Sequence, residues 1–186
     1  MGKVILGFVI SLDGYIEDKN GSASRLYANY ADLGSLRDLE AIQAAMRTTG
    51  AVIMGRRAYE RGNGDYTGYE FQTPIFVVTH NPPETPAKGE NENLKFHFVA
   101  DGVESAVRHA KAAAGDKNVT IVGGAEIAQQ VLKAGLVDEV QIDIAPVLLG
   151  AGLRAFDNLS GKPIELESTH VGTTAGVTNL VFRVLN

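Results

Sequence analysis

Short blocks of apolar and β-branched residues alternate along the chain with stretches whose apolar positions fall three and four apart. That alternation predicts β-α-β units around a largely parallel sheet. The blocks Lys3 to Ile10, Ala51 to Met54, Ile75 to Thr79, Phe96 to Val99, Val119 to Val122 and Glu139 to Ala145 read as strands. Between the first two, Leu33 to Arg47 carries Leu36, Leu39, Ile42, Ala45 and Met46 on one helical stripe. Val103 to Ala114 and Ala125 to Ala134 are also predicted helical, the second closed by Gly135 in the place of a C-terminal cap. From Pro163 onward the period falls to two around "TTAG", which predicts a closing antiparallel hairpin. Gly62 to Thr73 and Asn81 to Glu92 read as surface loops too short to divide domains, so one domain over residues 1–186 is expected.

Composition narrows the function. A chain of 186 residues suffices for one domain with a sizeable core. The formal net charge of -5 argues against nucleic acid, which would call for a basic face, so an anion site must be local. The absence of cysteine excludes disulfides, thiolate catalysis and cysteine-ligated zinc, and it fits a cytoplasmic protein. His80, His97, His109 and His170 show no metal-ligand spacing, so no metal is expected. No apolar run approaches membrane-spanning length, and "MGKVILGFVISLDG" lacks a signal-peptide core and cleavage site.

Two segments carry candidate chemistry. In "AVIMGRRAYERG", Ala51 to Gly62, a strand ends in Gly55 and leads into Arg56 and Arg57 at the start of a predicted helix. Cations there oppose the helix dipole unless something negative lies nearby, so the pair points to a bound anion. The alternative is that the arginines are solvated and pair with Glu60 or Asp65. In "VTIVGGAEIAQQVL", Val119 to Leu132, a strand runs through Gly123 and Gly124 straight into a helix, a turn that lets another molecule approach the main chain. It could equally be a tight turn that needs glycine alone. If both junctions face one crevice, an extended phosphorylated cofactor would touch both.

Other motifs are weaker. "GAGLRA", Gly150 to Ala155, matches a dinucleotide fingerprint in form, but Asn158, Gly161 and Pro163 break any following helix, so an irregular crossover is expected. Asp13 in "SLDGYI" could donate a proton, though an aspartate before glycine commonly bonds its own turn. Asp38, early on the first long helix, could anchor a nitrogen heterocycle or relay a proton, or could be a solvated helix-start acid.

Taken in order, "SLDGYI", "VIMGRRAYE", "IFVVTHNP" and "VTIVGGAEIAQQVLKAGLVDEVQIDIAPVLLGAG" resemble the dihydrofolate reductase-like family over nearly the whole chain. The closer likeness is to the C-terminal reductase domain of the bifunctional deaminase-reductases of riboflavin biosynthesis. The resemblance implies an α/β three-layer sandwich, with a mostly parallel central sheet and a C-terminal antiparallel hairpin. It implies an NADPH-dependent reductase acting on a small pterin- or aminopyrimidine-like substrate, similar to 5-amino-6-(5-phosphoribosylamino)uracil reductase, and a homodimer. Gly55, Arg56 and Arg57 would bind cofactor phosphates, with Thr79, His80 and Asn81 near the adenosine end. Gly123, Gly124, Ala125, Glu126 and Ile127 would follow the pyrophosphate and nicotinamide ribose, while Val9, Ile10, Gly14 and Ile16 would border the nicotinamide. Asp38 would be the catalytic carboxylate, reached only by a one-residue shift, and Tyr15 stands where the riboflavin reductases commonly carry a basic residue. Dihydrofolate reduction, NADPH binding without turnover, and binding of another phosphorylated ligand remain open alternatives.

Overall fold

The computed structural model describes residues 2–31, 40–159, 161 and 163–185. Its main sheet has eight strands: β1 (Val4–Ser11), β3 (Thr49–Gly55), β4 (Ile75–Val78), β5 (Phe96–Val99), β6 (Asn118–Ile121), β7 (Glu139–Ala145), β9 (Glu165–Thr174) and β10 (Val177–Leu185). They lie in the order β5-β4-β3-β6-β1-β7-β10-β9, parallel from β5 to β7 and antiparallel beyond. The expected fold class, a mostly parallel α/β sheet closed by an antiparallel hairpin, is therefore present. Winding runs outward through β3, β4 and β5, returns to the middle at β6, and continues on the far side of β1.

Side-chain alternation builds two cores. On one face Val4, Leu6, Ala51, Ile53, Val119, Ile121, Val140 and Ile142 pack beneath α4 (Val103–Ala114) and α5 (Ala125–Lys133). On the other face Val52, Met54, Ile75 and Val77 meet Tyr59, Tyr66 and Phe96, whose rings stack and abut one another. Tyr59 comes from the five-residue helix α3 (Arg56–Glu60), and Tyr66 from the following loop, where its hydroxyl donates to the Tyr59 carbonyl at 2.9 Å. That pairing explains why a segment rich in glycine and tyrosine is an ordered wall of the core. Each buried aromatic of this kind contributes roughly 2–3 kcal/mol by removing its ring from water.

The second face changes character across β1 and β7. There the odd-numbered positions Ile5, Gly7 and Val9 stand beside Glu139, Gln141 and Asp143, and together they line an open cavity. Two short elements missed by the sequence pattern, β2 (Tyr15–Asp18) and β8 (Gly152–Arg154), pair antiparallel at the end of β1. "GAGLRA" thus contains a strand, and a Cβ on Gly152 would lie 1.8 Å from the Glu17 carbonyl oxygen, so glycine serves close packing there. The hairpin turns at Ala175 and Gly176, both at positive φ of 52 and 77°. A two-residue turn of that handedness matches the twist of the paired strands.

The remaining helical segments are α1 (Ala28–Ala31), preceded by a 3-10 turn, and α2 (Glu40–Thr48). The latter covers the C-terminal part of the predicted Leu33 to Arg47 helix, while Leu36, Leu39 and Asp38 lie outside the described residues. Among the described residues no helix is long and apolar enough to cross a membrane.

Candidate functional site

The two glycine junctions meet. The Gly55 amide, at the end of β3, donates to the Gly123 carbonyl at 2.8 Å, and a Cβ on Gly55 would lie 2.8 Å from Ile127 Cγ1. Strands β3 and β6 are neighbours, so their C-terminal ends open onto one crevice where the winding reverses. Gly123 lies at φ 105°, beside the Phe8 ring and across a cis peptide from Gly124. Only glycine adopts that φ without strain. Gly124 differs: its φ is -75°, and a Cβ there would meet nothing within 4 Å. Its successors begin α5, and the first N–H groups of a helix have no intrahelical partner.

A cavity of about 1120 Å³ runs along this crevice and the sheet face behind it. That exceeds the several hundred Å³ typical of a drug-sized ligand, and it accommodates an extended cofactor together with a small substrate. Among the predicted residues, Val9, Ile16, Gly55, Arg56, Arg57, Thr79, His80, Gly124, Ala125, Glu126 and Ile127 line it. Four others stand elsewhere. Ile10 points into the helix-covered core, because strand parity turns it away from Val9. Gly14 forms the turn after β1, bonded to Ser11 and Ala155, and Gly123 acts through its carbonyl. Asn81 lines a small separate cavity with Arg56 and Thr79, its amide accepted by the Thr79 hydroxyl at 3.2 Å.

The arginines have partners. Arg56 Nε donates to Glu60 Oε1 at 2.6 Å, one helical turn on, and both side chains are about half exposed. Arg57 reaches Glu17 rather than Asp65: Arg57 Nη2 is 3.2 Å from Glu17 Oε2, and Arg61 Nη2 is 2.7 Å from Glu17 Oε1. Asp65 instead accepts from Thr67, which holds its carboxyl below the usual range. Glu17 is buried, and its two guanidinium neighbours offset the desolvation of its charge. Glu17 and Arg61 line the cavity and were not singled out by the sequence, because a carboxylate forty positions from its partner leaves no local trace.

Asp13 is a structural fastener. Its carboxylate accepts from Ser11 Oγ at 2.6 Å, from the Leu149 amide at 3.1 Å and from the Gly150 amide at 2.7 Å. These bonds, that from Ser11 foremost, hold its pKa down at about 2. A carboxylate so strongly ionised is a poor proton donor near neutrality. The Asp-Gly turn is thereby tied to a segment more than a hundred residues away.

Residues 2–179 match the profile of the RibD C-terminal domain family. The chain is 27% identical over 162 residues to the Bacillus subtilis protein YwjB, an uncharacterised protein, covering 86% of each. Among solved structures it superposes with a TM-score of 0.79 and 22% identity on a Shewanella sp. PV-4 protein assigned to riboflavin biosynthesis, over 99% of both chains. It superposes on a dihydrofolate reductase from Enterococcus faecalis with a TM-score of 0.64 and 16% identity, over 100% of this chain and 98% of that one. At these identities the two structures establish the shared fold.

Proposed function

The chain belongs to the RibD C-terminal domain family, and on that premise we propose that it is an NADPH-dependent reductase of a small pterin- or aminopyrimidine-like heterocycle. The observation that carries this reading is the junction of Gly55 with Gly123 at 2.8 Å, which joins two glycine turns and an arginine pair at one cavity. Two such turns on neighbouring strands suit a ligand that is both phosphorylated and extended.

In this reading Arg56 and Arg57 hold cofactor phosphates, and the first-turn amides of α5 add donors for the pyrophosphate. The open space above Gly124 fits close approach of a ligand to the main chain. Thr79, His80 and Asn81 lie toward the adenosine end, and Val9 and Ile16 form an apolar wall for the nicotinamide. When bound, NADPH supplies the hydride. The chain's part is to orient the reactants and exclude water. Glu17 steadies Arg57 and so couples β2 to the phosphate end of the site.

Calorimetric titration with NADPH, followed by absorbance assays of its oxidation with pterins, aminopyrimidines and dihydrofolate, tests the reading. Stoichiometric binding with turnover of a pterin or aminopyrimidine is expected. Absence of NADPH binding overturns the proposal, and binding without oxidation across the panel identifies a non-catalytic NADPH-binding protein instead.

A further inference from the structure

A second polar constellation lies on the cavity face of the sheet, apart from the glycine junctions. Asp143 in β7 stands directly opposite Val9 in β1 on one side and Asn179 in β10 on the other. Its Oδ2 accepts from the Tyr30 hydroxyl at 3.2 Å, and its Oδ1 accepts from Asn179 Nδ2 at 2.6 Å. A carboxylate offers about four acceptor positions, so each oxygen retains one for another donor. Tyr30, Asp143 and Asn179 all line the cavity, and Tyr27 and Phe71 line it with them. Burial, and next the Asp143 charge, raise the Tyr30 pKa, so its hydroxyl remains a donor that fixes the carboxylate.

The partners of Asp143 among the described residues are neutral donors, Tyr30 and Asn179. Among the described residues no lysine or arginine lies within ion-pair distance of it, whereas the buried Glu17 has two. A half-buried carboxylate with two neutral donors and free acceptor positions toward the cavity can take further N–H donors from a ligand. Val9 and Asp143 are register partners on neighbouring strands, which lie about 4.8 Å apart. Register partners project to the same face, so a ring held by Asp143 lies in the same part of the cavity as Val9.

We propose that Asp143, fixed by Tyr30 and Asn179, is the specificity-determining residue of the substrate site, orienting a planar heterocycle through two adjacent N–H donors. The assignment rests on the reading above only in taking Val9 as the border of the nicotinamide; recognition at Asp143 is a separate property of the chain. It locates the substrate-reading carboxylate on a strand of the sheet. A purely structural Asp143 would satisfy Tyr30 and Asn179 and affect stability, without distinguishing ligands by their donors.

The test titrates the full chain calorimetrically, with and without NADPH, using 2,4-diaminopyrimidine as the probe and unsubstituted pyrimidine as the control. The unmutated protein is expected to bind the diamino compound at least about tenfold more tightly than pyrimidine, in line with hydrogen bonds to a charged group. Asp143→Asn is expected to weaken diaminopyrimidine binding by roughly ten- to a hundredfold and to leave pyrimidine and NADPH binding unchanged. Tyr30→Phe, which keeps the charge and removes one tether, is expected to give a smaller loss in the same direction, and it carries the test if Asp143→Asn does not fold. Equal diaminopyrimidine binding by the unmutated and folded variant proteins overturns the proposal, as does failure of the unmutated protein to bind the probe. Because NADPH is titrated separately, loss of the cofactor reading alone would appear as Asp143-dependent probe binding without any NADPH binding.

Discussion

Replacing Arg56 with alanine asks whether the cation at the start of α3 serves a ligand or only its own helix. Among the described residues Arg56 pairs with Glu60, in an i,i+4 arrangement with both side chains about half exposed. A pair of that kind contributes about 0.3–0.5 kcal/mol, so Arg56→Ala should barely change thermal stability. A hydrogen bond from arginine to a phosphate contributes about 1.5–3 kcal/mol. Releasing the helix pair to make that bond leaves a net gain of roughly 1–2.5 kcal/mol, or about five- to sixtyfold in affinity. If Arg56 contacts the ribose phosphate that distinguishes the two cofactors, the variant should lose that factor for NADPH and keep its NADH affinity. If it contacts the shared pyrophosphate, both should weaken alike. Calorimetric titration of each cofactor at low and high salt separates these outcomes, and rising salt should erode the unmutated protein's preference because it screens an exposed phosphate. Arg57→Ala serves as a contrast: it leaves the buried Glu17 with Arg61 alone, so it should also lower the melting temperature. An unchanged preference for NADPH over NADH in Arg56→Ala, Arg57→Ala and the double variant would refute the reasoning and leave the arginines as helix-start charges.

Further expectations concern other parts of the molecule. A Cβ at Gly124 meets nothing within 4 Å, so a Gly124→Val protein shown to be folded by its circular dichroism should lose NADPH binding by calorimetry; undiminished binding would make the turn purely structural. Gly123→Ala should instead lower the melting temperature, because its φ of 105° is strained for any side chain, at a cost of about 1–3 kcal/mol. Asp13 has a folded pKa depressed to about 2 from 3.8, so its stabilising contribution is present above pH 4 and lost as pH falls from there toward 2. Melting curves across that window should show a loss that Asp13→Asn lacks. We also propose a homodimer, consistent with the exposed Leu166 and Val171 on the edge strand β9 and with the usual preference for symmetric pairs; sedimentation showing only monomer at micromolar concentration would refute it.

The local chemistry of the sequence determined much of the architecture. Period two and period 3.6 are relations among residues within a few turns of one another, and they located β5 and β7, α4 and the closing hairpin. Glycines after apolar runs marked both junctions of the candidate site before any tertiary contact was known. β2 and β8 carry no continuous apolar run to mark a strand, and they exist because each pairs with the other. Long-range partners were equally silent: Glu17 with Arg57 and Arg61, Asp13 with the amides of Leu149 and Gly150, Asp143 with Tyr30 across 113 positions. Parity explains one further difference, since Val9 and Ile10 read as equivalent apolar neighbours until the sheet buries one under helices and opens the other to the cavity. Only the strand order brings Gly55 against Gly123 and Asp143 beside Val9. That order is settled by the packing of the whole chain, because hydrogen bonds between strands depend on which backbones lie side by side and not on how far apart they are in sequence.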